Sequence, residues 1–327
     1  MGFTDFTGVR VSGVPILGEG IPATFGNTYF VDVENGSDSF DGLSMHPEGG
    51  SGPKLTVLAA YNETVSNKHD VIVMSGVGTH TFTAELVVAK NRVHFVGLGL
   101  GSRYIGQRTK WNSASGGSAD SACVAVTGVG CTFTNIKISN SDSSTSFAVA
   151  DGGEFTQWTN CEILNTENLG EITDAHLLCN VDSGYYLRCT IGSSQVNHDY
   201  TDSRGSVLFT KQVLPDKVCR DTIFEDCLFP IGADSASGCS VFLLTGPLDI
   251  DRILWVKNCV FWGSKLSDTI DRAIQIDVNQ LNGDIFLDHC TIHGIDDVTA
   301  DSTLSVYHNS PASGSDVSMT SIVAGEA

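Results

Sequence analysis

The stretch Thr159-Asn160-Cys161-Glu162-Ile163 recurs in altered form along the second half of the chain. Each copy holds a cysteine with a large apolar residue two positions later, and the residue directly before the cysteine is never a large apolar one. The cysteines are Cys131, Cys161, Cys189, Cys227, Cys259 and Cys290, and their apolar partners are Phe133, Ile163, Ile191, Phe229, Phe261 and Ile292. Alternation with a period of two is typical of a β-strand with one buried face.

The copies return at nearly regular intervals, with spacings of 30, 28, 38, 32 and 31 residues. A seventh copy follows 31 residues later, where Ser321 takes the cysteine place, Val323 the apolar place, and Gly325 matches Gly294. An earlier strand is predicted in every copy, and the seven are Cys123-Val126, Phe147-Val149, His176-Cys179, Val207-Phe209, Val241-Leu244, Ala273-Ile276 and Leu304-Val306. The sequence therefore predicts two strands per repeat, joined by turns.

No repeat contains the amphipathic helix of 10 to 15 residues that a βαβ unit requires. Repeats of this length without helices indicate coils that stack on one another. The predicted fold class is all-β, a single right-handed parallel β-helix of about seven to eight rungs with an N-terminal cap. At a strand spacing of ~4.8 Å, the rod would be on the order of 35 to 40 Å long.

Stacking also explains the six repeated cysteines. Equivalent side chains of successive rungs point the same way and lie about one strand spacing apart, whereas a disulfide needs converging Cβ atoms. We expect a buried ladder of reduced thiols, as in a reducing compartment, in preference to disulfides. No CxxC or CxxH pair is present, so neither zinc nor another metal or cofactor is predicted.

Charge and composition exclude several function classes. The 327 residues carry 38 acidic and 18 basic side chains, a formal net charge of -20, which disfavours nucleic acid and anionic membranes as partners. No run reaches the 18 apolar residues of a membrane span, and no export or myristoylation pattern opens the chain. The predicted protein is soluble.

The region before the repeats resembles a known superfamily. Thr28-Asp32, Asn35-Asp38 and Asp41-Ser44 lead to a short helix predicted over Leu55 to Val65, and then to Asp70-Met74 and Gly97-Gly101. Their order resembles the opening of pectin-lyase-like right-handed β-helix proteins, which implies that fold and, for many members, cleavage of acidic polysaccharides. We divide the chain into residues 1–27, a docking arm, 28–101, the cap and first coil, and 102–327, the rungs.

Three residues are candidates for catalysis. Asp288-His289-Cys290 is similar to a segment of pectate lyases, and Arg272 lies one repeat strand earlier. Because Asp288 and His289 align with variable outward pairs of other rungs, we expect no active site and no enzymatic activity. Asp296-Asp297 resembles, more weakly, the paired catalytic carboxylates of a glycoside hydrolase. An acidic loop with Asp32, Glu34, Asp38 and Asp41 could bind calcium. Local turns explain these residues more simply.

Residues 1–27 are apolar yet interrupted by glycine and proline, as expected of a segment that docks on a partner. They resemble the start of tailed-bacteriophage structural proteins, which implies attachment to a virion. The predicted partner-binding residues are Phe3, Phe6, Val9, Val11, Val14, Ile16 and Leu17. We predict a homotrimeric capsid decoration or surface spike that contacts capsid or other virion proteins. A polysaccharide lyase or hydrolase and a host-glycan-binding module remain alternatives.

Overall fold

A computed structural model describes residues 9–11, 14–16, 26–99, 109–113, 121–141, 146–165, 174–200, 204–211, 217–236, 239–265, 270–276, 282–299 and 306–308. The described strands of the first half are β1 (Val9–Val11), β2 (Val14–Ile16), β3 (Thr28–Val31), β4 (Val71–Met74), β5 (Thr79–Phe82), β6 (Leu86–Val88), β7 (His94–Gly97), β8 (Thr109–Ser113), β9 (Ala122–Val126), β10 (Thr132–Thr134), β11 (Ile136–Asn140), β12 (Phe147–Asp151), β13 (Gln157–Thr159), β14 (Glu162–Asn165) and β15 (Ala175–Cys179).

The described strands of the second half are β16 (Tyr185–Leu187), β17 (Thr190–Ile191), β18 (Ser193–Tyr200), β19 (Arg204–Phe209), β20 (Cys219–Glu225), β21 (Leu228–Ala236), β22 (Cys239–Leu244), β23 (Ile250–Lys257), β24 (Val260–Lys265), β25 (Ile270–Ile276), β26 (Asn282–Asp288), β27 (Thr291–His293), β28 (Ile295–Thr299) and β29 (Val306–His308). One helix, α1 (Val57–Glu63), is described.

The strands after β2 form three parallel sheets. Sheet 1 has the order β29-β26-β23-β20-β16-β13-β10-β7-β4-β3, and sheet 3 has the order β28-β25-β22-β19-β15-β12-β9-β6. Sheet 2 runs β27-β24-β21-β17-β14-β11-β8-β5, and β18 pairs with β21 beside this path. The chain visits sheets 1, 2 and 3 in turn, from β4-β5-β6 to β26-β27-β28, so the described residues form eight coils. The predicted right-handed parallel β-helix is confirmed.

The prediction of two strands per repeat is wrong, because each coil has three. The strand of sheet 1 and the following strand of sheet 2 are separated by only two residues in the ladder rungs, as between β13 and β14. The first of these two residues has a positive φ, 53° at Asn160, and this single left-handed residue makes the bend. A bend without a Gly or Pro cluster resembles a continuous strand in the sequence.

Cys131 does not belong to the cysteine ladder. The register pairs Thr132 with Gln157, so Cys131 lies level with Thr156 at the start of a sheet-1 strand. The other five cysteines follow the bend between sheets 1 and 2, and the residue in that place one coil earlier is Ile136. The alignment failed because Phe133, an inward residue of sheet 1, imitates the apolar residue of a sheet-2 strand.

Two element boundaries also differ from the predictions. Leu304 lies outside the described residues, and Val306 begins a strand of sheet 1 that pairs with Ile285 to Leu287. The strand that continues the column of Ala273 to Ile276 is β28, at Ile295–Thr299. The predicted helix is confirmed but shorter than Leu55 to Val65.

The core is a set of columns in which equivalent residues of successive coils touch. In sheet 1 the inward column is aromatic, and its ring pairs are Phe95–Phe133 at 5.0 Å, Phe133–Trp158 at 3.9 Å, Trp158–Tyr186 at 6.3 Å and Tyr186–Phe224 at 4.5 Å between centroids. All five side chains are fully buried. Stacked rings contribute roughly 0.5–1.5 kcal/mol per pair beyond their buried area, so this column stiffens the rod.

One carboxylate interrupts the apolar core. Asp151, at the end of β12, is fully buried and its Oδ2 accepts hydrogen bonds from Thr156 Oγ1, Trp158 Nε1 and Tyr186 Oη at 2.7, 2.8 and 2.7 Å. Its Oδ1 accepts the Gly153 N–H at 3.2 Å. Burial raises the pKa of Asp151, while four donors satisfy the carboxylate in a place where an unpaired charge would be costly.

Helix α1 closes part of the N-terminal end of the coils. Thr56 caps it by accepting the Ala59 N–H at 3.1 Å, and Val57, Ala60 and Tyr61 face the core. At the other end, Lys90 Nζ donates to the Tyr61 and Thr64 carbonyl oxygens at 2.7 and 2.8 Å. Among the described residues, no helix is long and apolar enough to cross a membrane.

Candidate functional site

The Asp288-His289 pair lies at the bend between β26 and β27. His289 Nδ1 is 2.6 Å from Asp288 Oδ1, and the side chains are 70% and 24% exposed. In register with Asp288 one coil earlier is Lys257, whose Nζ is paired with Glu225 Oε1 at 2.9 Å. The basic residue closest in register is therefore already engaged in an ion pair.

His289 also has a backbone role that five other coils repeat. It has a φ of 53°, and the residues at the same bend in other coils are Asn135 (61°), Asn160 (53°), Arg188 (54°), Asp226 (54°) and Asn258 (53°). Asparagine, aspartate and histidine tolerate the left-handed region better than most residues. His289 therefore meets the backbone requirement of this bend.

Arg272 lies away from this pair. It belongs to β25 of sheet 3, where its register partners are Ser240 and Asp297, while Asp288 ends a strand of sheet 1. The structure therefore does not bring the three candidate residues together into one arrangement that could abstract a proton.

The carboxylates of the acidic loop before α1 accept hydrogen bonds from backbone N–H groups, in local turns at Asp32 and Asp41 and at the start of the helix at Asp38. Asp32 Oδ1 accepts the Glu34 N–H at 2.9 Å, and Asp38 Oδ1 accepts the Thr56 N–H at 2.8 Å. Asp41 Oδ1 accepts the Leu43 N–H at 3.0 Å, which lowers the pKa of Asp41. Across the described ranges, no group of three or more His, Cys, Asp and Glu side chains could hold a metal ion.

All ten cysteines are free thiols and are buried. Five of them form the ladder at the bend, and burial raises the pKa of Cys227 well above its usual value. Off the ladder, burial raises the pKa of Cys123 to about 12 and that of Cys131 to about 11. Buried thiols with a raised pKa stay protonated near pH 7 and are poor nucleophiles, so Cys123, Cys131 and Cys227 serve as small apolar side chains.

The predicted docking arm is described only in part. Val9, Val11, Val14 and Ile16 lie in a two-stranded antiparallel sheet, with Val9 opposite Ile16 and Val11 opposite Val14. Phe3, Phe6 and Leu17 lie outside the described residues. The contacts that we predict for this arm with a partner chain remain predictions.

A groove of about 290 Å³ opens beside α1, where the first strands of sheets 2 and 3 begin. Leu55, Leu58, Phe82 and Leu86 supply apolar walls, and the buried His80 also lines it. Burial lowers the pKa of His80 to about 4, so its imidazole is neutral near pH 7. No sequence pattern predicted this groove.

Sequence reasoning also missed a row of apolar residues on the outer face of sheet 1. The row holds Tyr185, Ile223, Trp255, Phe286 and Tyr307, which are register partners from coil to coil. The first four stand four positions before Cys189, Cys227, Cys259 and Cys290, respectively. That constant offset could have revealed the row.

Comparison with known proteins identifies the architecture. No family model and no curated protein sequence matches the chain. Among solved structures, the pectin methylesterase from carrot has a TM-score of 0.57 at 15% identity, covering 91% of this chain and 88% of that one. The likeness is one of fold.

Two further structures agree. Pectin methylesterase PemA from Erwinia chrysanthemi has a TM-score of 0.54 at 10% identity and covers 89% of this chain and 91% of its own. Pectate lyase Pel9A has a TM-score of 0.51 at 13% identity and covers 89% and 78%. The right-handed parallel β-helix fold is therefore shared, and at these identities fold alone says little about chemistry.

Proposed function

We propose that this chain is a non-catalytic structural protein of a tailed-bacteriophage virion, a homotrimeric capsid decoration or surface spike attached through residues 1–27. The observation that carries the non-catalytic part is the placement of the candidate residues. Asp288 and His289 belong to a bend that recurs in six coils, and Arg272 lies on a different sheet. The virion part rests on the resemblance of residues 1–27 to phage structural proteins.

The form of the molecule suits a structural role. Its aromatic column from Phe95 to Phe224 is continuous across five coils, and each coil contacts mainly its neighbours, as in other solenoids. A rod of this kind holds a fixed length and can project from a surface. The formal charge of -20 favours a solvated, outward-facing position.

The test is removal of residues 1–25 followed by particle assembly. We expect particles to form without the truncated protein, because the apolar arm supplies the attachment. Gel analysis and electron microscopy of purified particles measure its incorporation. An Arg10→Gln variant of the full chain serves as a control for changes that leave the apolar residues in place. Full occupancy by the truncated protein would refute attachment through the arm.

A second candidate is a polysaccharide lyase or hydrolase, which the structural likeness to pectate lyase Pel9A and to pectin methylesterases favours at the level of fold. Incubation with polygalacturonate and with neutral polysaccharides, followed by detection of unsaturated products and of new reducing ends, tests it. We expect no products. Products that disappear in an Asp288→Ala variant would establish the enzyme and exclude the non-catalytic proposal.

A further inference from the structure

The outer face of sheet 1 carries what we call the apolar stripe, formed by Tyr185, Ile223, Trp255, Phe286 and Tyr307. Trp255 is 41% exposed and Tyr307 is 39% exposed, while the other three are partly exposed. Large apolar side chains in an unbroken row on a surface mark an interaction site more often than scattered ones do. In earlier coils the same column is polar or buried, with Gln157, Thr132 and His94.

The stripe is rigid. Its residues alternate along each strand with the inward residues Tyr186, Phe224, Val256 and Leu287, which are buried, so the backbone below cannot move freely. The Phe286 and Tyr307 rings stack with centroids 4.9 Å apart and planes at 15°. A preorganised surface loses little conformational entropy when a ligand binds.

Polar columns border the stripe on both sides. Two positions later along the strands stand Leu187, Glu225, Lys257 and Asp288, so this column is polar from Glu225 onward. Tyr185 Oη donates to Glu225 Oε2 at 2.7 Å. Two positions earlier stand Ser183, Asp221 and Asp284, with the exposed Ile253 as the apolar exception in this column. The surface thus offers a strip of rings and aliphatic carbon between hydrogen-bonding groups, which matches the two kinds of surface on a sugar ring, its C–H face and its hydroxyl rim.

The dimensions favour a single extended chain over a protein partner. Five strands at a spacing of ~4.8 Å span about 19 Å, and the strip is one residue wide except where Leu187 and Ile253 adjoin it. A stable protein interface buries about 800 Å² on each partner. An extended polysaccharide lying along the stripe would cross the strands one after another, so different sugars would contact different coils.

The negative charge of the protein limits which polysaccharides the stripe can bind. The protein has a formal net charge of -20, and carboxylates border the stripe, so a polyuronate would be repelled. We propose that the apolar stripe binds an extended, uncharged polysaccharide of neutral or N-acetylated hexoses. This binding is independent of the virion role and of any catalysis.

The experiment uses the full chain and a set of hexasaccharides, namely cellohexaose, maltohexaose, the N-acetylglucosamine hexamer and hexagalacturonate. Trp111 and Trp158 are fully buried, whereas Trp255 and Trp262 are exposed. In a Trp262→Phe background, the tryptophan emission that responds to a ligand therefore reports on Trp255. We expect at least one uncharged hexasaccharide to change this emission and hexagalacturonate to leave it unchanged.

Trp255→Ala should weaken binding of that hexasaccharide about tenfold or more, as truncation of an aromatic anchor does, measured by calorimetry. Trp255→Tyr should retain part of the affinity. The matched control is Trp262→Ala, which removes an indole of similar exposure, 37%, from sheet 2 and should have no effect. Equal urea midpoints for the variants establish that the fold is intact.

Three outcomes would overturn the proposal. The first is that none of the uncharged hexasaccharides binds. The second is that Trp262→Ala weakens binding as much as Trp255→Ala does. In the third, Trp255→Ala changes the oligomeric state in analytical ultracentrifugation, which would make the stripe an interface between copies of this chain.

Discussion

At the scale of single residues, His176 makes the stability of the protein depend on pH. It is buried in β15, and its Nδ1 accepts the Asn165 N–H at 2.8 Å. Burial lowers the pKa of His176 from 6.5 to about 3, because the charged imidazolium would lose its hydration. The folded protein therefore holds this side chain neutral.

The sign of the effect follows from linkage. Between pH 6.5 and about 3 the unfolded chain takes up a proton at His176 that the folded chain does not, so the free energy of unfolding falls as the pH is lowered. From pH 7 to pH 5 the loss is about 2 kcal/mol for this one group. His80 and His94, whose pKa values are lowered to about 4 by burial, act in the same direction.

Urea unfolding at pH 7 and at pH 5 measures this dependence. His176→Gln can still accept the Asn165 N–H, and we expect it to lose about 2 kcal/mol less than the natural protein does over this pH interval. The matched control is His289→Gln, since the His289 side chain is 70% exposed, and it should keep the pH dependence of the natural protein. Identical pH dependence in all three proteins would contradict the role of His176.

At the scale of elements, the five-cysteine ladder should be closed to reagents. Cys161, Cys189, Cys227, Cys259 and Cys290 are at most 1% exposed, so we expect no rapid reaction with a thiol reagent in the native protein. All ten cysteines should react in guanidinium chloride. Cys189→Ala should cost about 1 kcal/mol, because a small apolar side chain can occupy the site. Rapid labelling of any ladder thiol in the folded protein would refute this packing.

Sheets 1 and 2 also show which parts of the fold a local sequence pattern could predict and which it could not. The Cys-x-apolar alternation predicted the strands of sheet 2 because one face of each is buried, as at Ile163 and Ile292. It could not separate sheet 1 from sheet 2, because a bend made by one left-handed residue at Asn160 or Asn258 leaves no cluster of turn residues. It also misplaced Cys131, since inward aromatic residues occur in both sheets.

At the scale of the whole molecule, the fold was predictable because a solenoid repeats one local solution, and each coil contacts mainly its neighbours. The candidate site was less predictable. Asp288 and His289 are adjacent in the chain, so their local resemblance to a catalytic segment was visible, while the separation of Arg272 on sheet 3 depends on the path of the intervening coil. The apolar stripe likewise exists only once Tyr185 and Tyr307 are brought into register.

The same modularity predicts that the coils fold without the arm. Among the described residues, the three parallel sheets begin with β3 and the core cluster begins at Tyr29. We expect the chain lacking residues 1–25 to have a urea midpoint close to that of the full chain. A large drop in the midpoint would show that the arm contributes to the core of the β-helix as well as to attachment.

The buried Asp151 bears on how a repetitive chain avoids errors of alignment while it folds. The apolar columns above and below it are chemically similar, so a coil displaced by one position along the rod could still bury hydrocarbon against hydrocarbon. Only the native alignment places Trp158 Nε1 and Tyr186 Oη on the Asp151 carboxylate. A displaced coil would leave the buried Asp151 carboxylate without hydrogen-bond donors, at a cost of several kcal/mol. One acidic side chain thereby makes the misaligned arrangements of the coils less stable than the native one.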